Sequence, residues 1–158
     1  MAVCRRADPI KRLAVRRCFE SCNKTALAAQ STDDAGLYAR LKLAGLEQAP
    51  GHIAVFADRT TTQGKGLGRH TMAETIEYSS VMAIHTLWLA ARAEGMGVGW
   101  VSILEPGEIQ EILSTPANWK FISYLCVGYP ENEGDIPLLE SEGWEKRRRS
   151  SDDFILYR

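Results

Sequence analysis

Three features of the sequence predict an α+β sandwich with a central sheet. Helical periodicities dominate, and they alternate with few strand-like runs. One of those runs, Ile53–Ala57, is continuously apolar, as a strand buried on both faces is, and Phe121–Tyr129 reads as a second buried strand. The 158 residues suffice for one domain with a real core, and no repeat, linker or low-complexity tract divides them.

Residues 9–30 read as a basic amphipathic helix entered through Asp8-Pro9, with Ile10, Leu13, Phe19, Ala26 and Leu27 sharing a face. Ser31-Thr32-Asp33-Asp34 breaks it and supplies a cap for the next helix. Leu37, Leu41 and Leu43 lead that helix toward Gly45 as its C-terminal stop, and Ala49-Pro50-Gly51 forces a turn. After the first buried strand, Asp58 to Arg69 is a polar, Gly-rich loop.

Met72 to Glu94 is the strongest helix. Thr71 and Glu74 form a capping box, and Gly95 marks the stop. Its second half, Val81 to Ala91, is apolar nearly all round, which places it at the centre of the domain or in a subunit interface. Val98–Leu104 reads as a strand. Pro106 opens a short helix that Pro116 ends, and residues beyond Pro130 are polar and loop-like up to a last strand at Phe154–Tyr157.

Composition excludes little but orients the search. The apolar fraction is 45% and the charged fraction 25%, ordinary for a globular protein, and a net charge of -1 gives no global pull toward nucleic acid or a membrane surface. No apolar run approaches the roughly 20 residues of a membrane span. The basic start lacks the apolar segment of a secretory signal; an organelle transit peptide is the alternative to a helix entry there. Cys4, Cys18, Cys22 and Cys126 are not spaced as a zinc site, nor are His52, His70 and His85 clustered, so no metal is expected and the thiols read as reduced, in a cytoplasmic protein.

Three segments carry chemical potential. In Gly95-Met96-Gly97-Val98-Gly99-Trp100-Val101-Ser102, the glycines leave a helix and enter a strand, the reverse of a dinucleotide fingerprint. Such thinning permits a flat ligand against the backbone, or merely a cap and tight packing. Ser102 has no nucleophile elbow around it; its hydroxyl suits hydrogen bonding to a ring or peroxide, or is an ordinary strand serine. Gly64-Lys65-Gly66-Leu67-Gly68-Arg69 lacks P-loop spacing but offers amides and two cations to an anion or a pocket; otherwise it is a solvated loop. Lys146 to Arg149 suits a phosphate or is a solvated run. His85 reads as a hydrogen-bonded core histidine rather than a catalytic one, and Trp88, Trp100, Trp119 and Trp144 as core or interface aromatics.

Taken together, Leu41–Leu46 with Ala49-Pro50, Asp58-Arg59-Thr60, Leu67-Gly68-Arg69, the run Leu87–Ile103, Tyr124–Pro130, and Gly143-Trp144 with Arg147 resemble, in order, the motifs of the 5,6-dimethylbenzimidazole synthases of the BluB type, within the nitroreductase-fold flavoprotein superfamily. The resemblance covers residues 36–147. It implies a nitroreductase-like fold, a central mixed sheet flanked by helices, as a homodimer with FMN at the subunit interface. It implies an oxidoreductase that fragments reduced FMN with molecular oxygen to 5,6-dimethylbenzimidazole, the lower ligand of cobalamin. Ser102 matches the serine implicated in catalysis, Val101 to Ile103 the backbone beside the flavin ring, Arg147 the phosphate arginine, and Leu67, Gly68 and Arg69 a lid. The RRDxR and PSxGxxQPW segments that open the family pattern are not found, so the chain reads as one incomplete, N-terminally truncated domain. A general FMN nitroreductase or dehalogenase using NAD(P)H, and an inactive fragment acting only as a dimerisation or binding module, are the alternatives.

Overall fold

The computed structural model describes residues 2–4, 8–39, 41, 44–131, 134 and 136–146. Its elements in order are β1 (Ala2–Cys4), α1 (Pro9–Ala28), α2 (Thr32–Tyr38), α3 (Gly45–Gln48), β2 (Gly51–Asp58), α4 (Thr75–Ala93), β3 (Gly97–Val101), α5 (Pro106–Leu113), β4 (Trp119–Gly128) and α6 (Leu138–Ser141). A 3-10 turn at Gln63–Gly66 interrupts the loop between β2 and α4.

Both proline-led helices begin where the chain chemistry asks. Asp8 caps α1, its carboxylate accepting the Ile10 N–H at 3.0 Å, with Pro9 in the first turn. Ser31 caps α2 through the Asp34 N–H at 3.2 Å. α5 starts at Pro106 and ends on Ser114 in the left-handed region.

The four strands form one sheet in the order β1-β2-β4-β3. β2 and β4 are the central pair, running from Gly51↔Val127 to Asp58↔Trp119 with a register shift between Val55 and Phe56. β3 pairs with β4 from Gly97↔Gly128 to Val101↔Tyr124. Every ladder among the described residues is antiparallel, where a mixed sheet was expected. The sequence reading also overlooked β1, whose three residues pair Ala2↔Phe56 to Cys4↔Ala54.

Alternation along the strands feeds two cores, one on each face. On one face Ala54, Phe56, Val101, Tyr124 and Cys126 meet Val15 and Cys18 of α1, Leu46 of α3, and Ile109 of α5. On the other, Val55, Val98 and Leu125 meet Ile84 and Ala91 of α4. The layers are helices, sheet, helix, as an α+β sandwich requires.

Six local expectations are corrected. Gly45 begins α3 instead of stopping α2, which ends at Tyr38. A Cβ on Gly45 would stand 3.1 Å from Cys126 Cβ, so this glycine serves close packing of α3 on β4. The Thr71/Glu74 capping box does not form. Thr71 Oγ1 donates instead to Gly68 O within a turn, and α4 begins at Thr75 with no side-chain cap. α4 is not buried all round: Ile84 and Ala91 are buried, but Val81, Met82, Leu87 and Leu89 are exposed, Met82 at 72%. His85 is exposed as well, so it is no core histidine. β3 stops at Val101 rather than Leu104, and Leu138–Ser141 adds a short helix to a stretch expected as loop. The strand expected at 154–157 lies outside the described residues.

Candidate functional site

β3 delivers the glycine-thinned segment to the edge of the sheet. Val101, its last residue, is buried opposite Tyr124 and fixes the strand end. Ser102 follows immediately and is exposed, and its hydroxyl makes no hydrogen bond among the described residues. Ile103 is half-buried and Leu104 returns to the core. Gly97 and Gly99 border a groove of about 460 Å³ shared with α3, Pro50 and the Gly128–Glu131 turn. Gly99 is exposed, and a Cβ there would make only an ordinary van der Waals contact, 3.9 Å from Cys126 O, so nothing crowds this backbone. Gly128 differs: a Cβ there would come within 2.8 Å of Pro50 Cδ, so its role is the close approach of two turns.

The loop after β2 builds a second region. Asp58 ends β2 and gathers donors: the Thr60 N–H at 2.9 Å, Thr60 Oγ1 at 2.8 Å and Asn118 Nδ2 at 2.8 Å. The Thr60 amide and hydroxyl, with a lesser share from Asn118, hold its carboxyl below its usual range against the opposing effect of burial. This joins the end of β2 to the start of β4. Arg69 folds back across the loop, donating to Thr61 O and Gln63 O. Leu67 projects at 92% exposure, and Gly64, Lys65, Gly66 and Gly68 have positive φ. Leu67 and Arg69 line a cleft of about 590 Å³ with Asp58, Thr75, Ser80 and Trp119. A smaller cleft of about 390 Å³ lies beside it, sharing Arg69 and Ile76.

Of the residues singled out in the sequence, Leu67, Gly68 and Arg69 stand together, as do Val101, Ser102 and Ile103. Within one chain the two groups share none of these three clefts. Arg147 lies outside the described residues.

Two buried polar features escaped the sequence reading. Glu77, in the first turn of α4, is only 7% exposed. Arg59 Nη2 and Lys120 Nζ each lie 3.2 Å from its Oε1, ion pairs whose angles fall short of hydrogen bonds. Burial pushes its carboxyl up, but its own backbone N–H, Lys120 and Arg59 outweigh that and hold it below the usual range. Nothing in the sequence marks this, because the three residues come from α4, the β2 exit and β4.

His52 is the second. Its Nδ1 lies 3.1 Å from Tyr124 Oη and its Nε2 3.0 Å from Ala49 O, to which Arg12 also donates at 3.0 Å. Since Ala49 O can only accept, Nε2 carries the proton and Nδ1 accepts from the tyrosine. Burial and the Arg12 charge lower the His52 pKa despite the Ala49 carbonyl; burial pushes Tyr124 up to about 12. The thiols are similarly silenced: burial raises Cys18 to about 12 and Cys126 to about 11, and Cys18, Cys22 and Cys126 are free. None of the helices among the described residues is long and apolar enough to cross a membrane.

Residues 10–129 match the family described as "Nitroreductase family". The chain is 56% identical over 130 residues to the 5,6-dimethylbenzimidazole synthase of Rhodospirillum rubrum, an alignment covering 82% of this chain and 62% of that protein. It is 45% identical over 139 residues to a 5,6-dimethylbenzimidazole synthase of Rhodobacter capsulatus, covering 88% of this chain and 67% of the relative. The chain thus spans about two thirds or less of the length of these relatives. Among solved structures it resembles oxidized iodotyrosine deiodinase bound to FMN and 3-iodo-L-tyrosine, with a TM-score of 0.68, 19% identity, and coverage of 99% of this chain and 74% of that one. It also resembles a BluB-like flavoprotein from Clostridium difficile 630, with a TM-score of 0.64, 16% identity, and coverage of 99% and 78%. These two structures speak for the fold; the matched span and the closer sequences speak for descent. The chain belongs to the nitroreductase family.

Proposed function

We propose that this chain provides the catalytic core of an FMN-dependent 5,6-dimethylbenzimidazole synthase, which fragments reduced FMN with molecular oxygen. The observation that carries this reading is the exposed Ser102 at the end of a glycine-thinned strand, in a chain 56% identical to a curated synthase over 130 residues. Bound reduced FMN supplies both the electrons that oxygen accepts and the carbon skeleton of the product.

Gly99 and Ser102 suit a flat ring. Open backbone at Gly99 accepts a planar face, and the Ser102 hydroxyl, without a partner among the described residues, remains to donate to or accept from a ring atom. Burial of Val101 holds that hydroxyl's strand in place. In this reading Ser102 is the catalytic residue, and the Val101, Ser102 and Ile103 backbone lies beside the ring. Arg147 takes the phosphate, and Leu67, Gly68 and Arg69 cover the pocket from the loop, where Arg69 is already anchored to Thr61 and Gln63.

The working unit is a homodimer in the cytoplasm. The exposed Tyr78, Met82 and Leu89 of α4, four and seven residues apart, form an apolar strip that a second copy covers, and free thiols suit a reducing compartment.

The test is incubation with reduced FMN in air, followed by chromatography for 5,6-dimethylbenzimidazole. Product from the wild-type chain, reduced about a hundredfold or more in Ser102→Ala with flavin affinity retained, is the expected result. Flavin-loaded protein that yields no product overturns it. The α4 face also favours a second reading, a module that only dimerises. It expects a dimer that stays colourless when mixed with FMN and desalted.

A further inference from the structure

We propose that the concavity of about 390 Å³ between the loop following β2 and the start of α4 is a binding site for a phosphate-class oxyanion, either inorganic phosphate or a small phosphate monoester. It goes beyond the proposed function, which assigns the flavin phosphate to Arg147.

Six residues line the concavity: Arg59, Gly66, Arg69, His70, Ala73 and Ile76. Three are basic or can become so, and none is acidic. Solvated surface arginines wave freely and lose that freedom on binding. These two do not. Arg59 is held by the buried carboxylate of Glu77, 3.2 Å from its Nη2. Arg69 is held by the carbonyls of Thr61 and Gln63. A guanidinium carries five N–H donors, so both keep donors for a ligand after these contacts. Their planar forks suit an oxyanion that accepts two bonds at once.

His70 completes the wall because Gly66 lacks a side chain. With φ at +79°, a Cβ there would stand 3.2 Å from His70 Nε2 and press the imidazole off the loop. Glu77 does not cancel the field. It is buried behind Arg59, and Lys120, also 3.2 Å from its Oε1, leaves the group with two cations for one carboxylate. Ala73 and Ile76 give an apolar flank against which the carbon portion of a monoester can lie.

The test is an amide NMR titration of the full chain at constant ionic strength, with inorganic phosphate in one arm and glycerol phosphate in the other. Saturable shifts at Gly66 and Ala73 are expected in one or both arms; saturation by glycerol phosphate alone identifies the monoester as the ligand. Arg59→Gln and His70→Ala, both at exposed positions, each weaken binding about tenfold, the loss of one charge-assisted hydrogen bond. Lys65→Ala removes a cation from the same loop without touching the concavity, and leaves affinity within about twofold. Should Arg59→Gln disturb the loop spectrum, His70→Ala alone decides. Absence of saturable shifts in both arms, or a loss in Lys65→Ala equal to that in His70→Ala, overturns the proposal, since diffuse loop charge then accounts for the binding.

Discussion

The two faces of the sheet are finished differently. On the face covered by α1, α3 and α5, the core closes on itself: Phe56 is 0% exposed and packs against Phe121 and Trp119, with ring centroids 5.6 and 6.1 Å away. Even the polar atoms there are matched, His52 between Tyr124 and Ala49. On the other face, among the described residues, only α4 covers the sheet, and its outer side carries the exposed Tyr78, Met82 and Leu89. Its first turn borders both clefts around Arg69. The closed face gives the fold its stability; the half-covered face is where surface remains for assembly and binding.

The contrast is sharpest in a pair of truncations. Phe56→Ala should cost about 3–5 kcal/mol in chemical denaturation, the toll of a large cavity in a closed core. Met82→Ala should change the stability of the monomer by less than about 0.5 kcal/mol. Equal losses at the two positions would erase the distinction.

Next in size is the ion cluster under α4. Removing both Arg59 and Lys120 by alanine leaves Glu77 buried without a counter-charge, a loss of about 1–3 kcal/mol near neutral pH. The pH dependence also changes sign. In the wild type the Glu77 pKa is depressed, so its contribution is present above the unfolded carboxyl value and lost as pH falls through the folded one. In the double variant burial, the largest influence, outweighs the remaining backbone N–H and raises it, so stability declines as pH rises from the unfolded value through the raised one. Denaturation midpoints across pH 3–8 in both proteins would show the reversal; parallel profiles would remove Glu77 from the account.

Assembly gives the third handle. Met82→Glu places a charge in the uncovered α4 row, and sedimentation should move from dimer toward monomer while the far-ultraviolet spectrum is kept. A dimer of unchanged affinity would mean that another surface joins the copies.

The smallest effect belongs to His52. Its pKa is depressed, so as pH falls below its ordinary 6.5 the unfolded chain takes the proton first. Its share of stability is therefore present above that value and lost as pH drops through the folded one. His52→Asn should flatten this slope between about pH 5 and 7.

How much of this was legible in the sequence follows the range of the forces. β2, β4 and α5 were readable because an apolar run or a Pro-led turn is local. α1 was readable from Asp8-Pro9 and its periodicity. β1 was not, because three residues next to basic neighbours become a strand only when β2 offers an edge. Thr71 and Glu74 carried the letters of a capping box, but the turn at Gly68 claimed the hydroxyl first. The all-round apolar character of α4 could not separate a core from an uncovered face, and His85 was misjudged with it. At the candidate sites, the glycines and Ser102 stood out as a pattern. The grouping of Arg59, Lys120 and Glu77 did not, since only the folded chain brings them together.

One feature of the closed face bears on durability. A thiol must shed its proton before an oxidant finds a good nucleophile, and Cys18 and Cys126, at about 12 and 11, hold theirs at any physiological pH. A flavin worked in air leaks peroxide, and a core built on ordinary sulfurs would corrode with use. If the chain performs the proposed flavin chemistry, Cys18 and Cys126 meet that peroxide as protonated thiols, the form it attacks slowly.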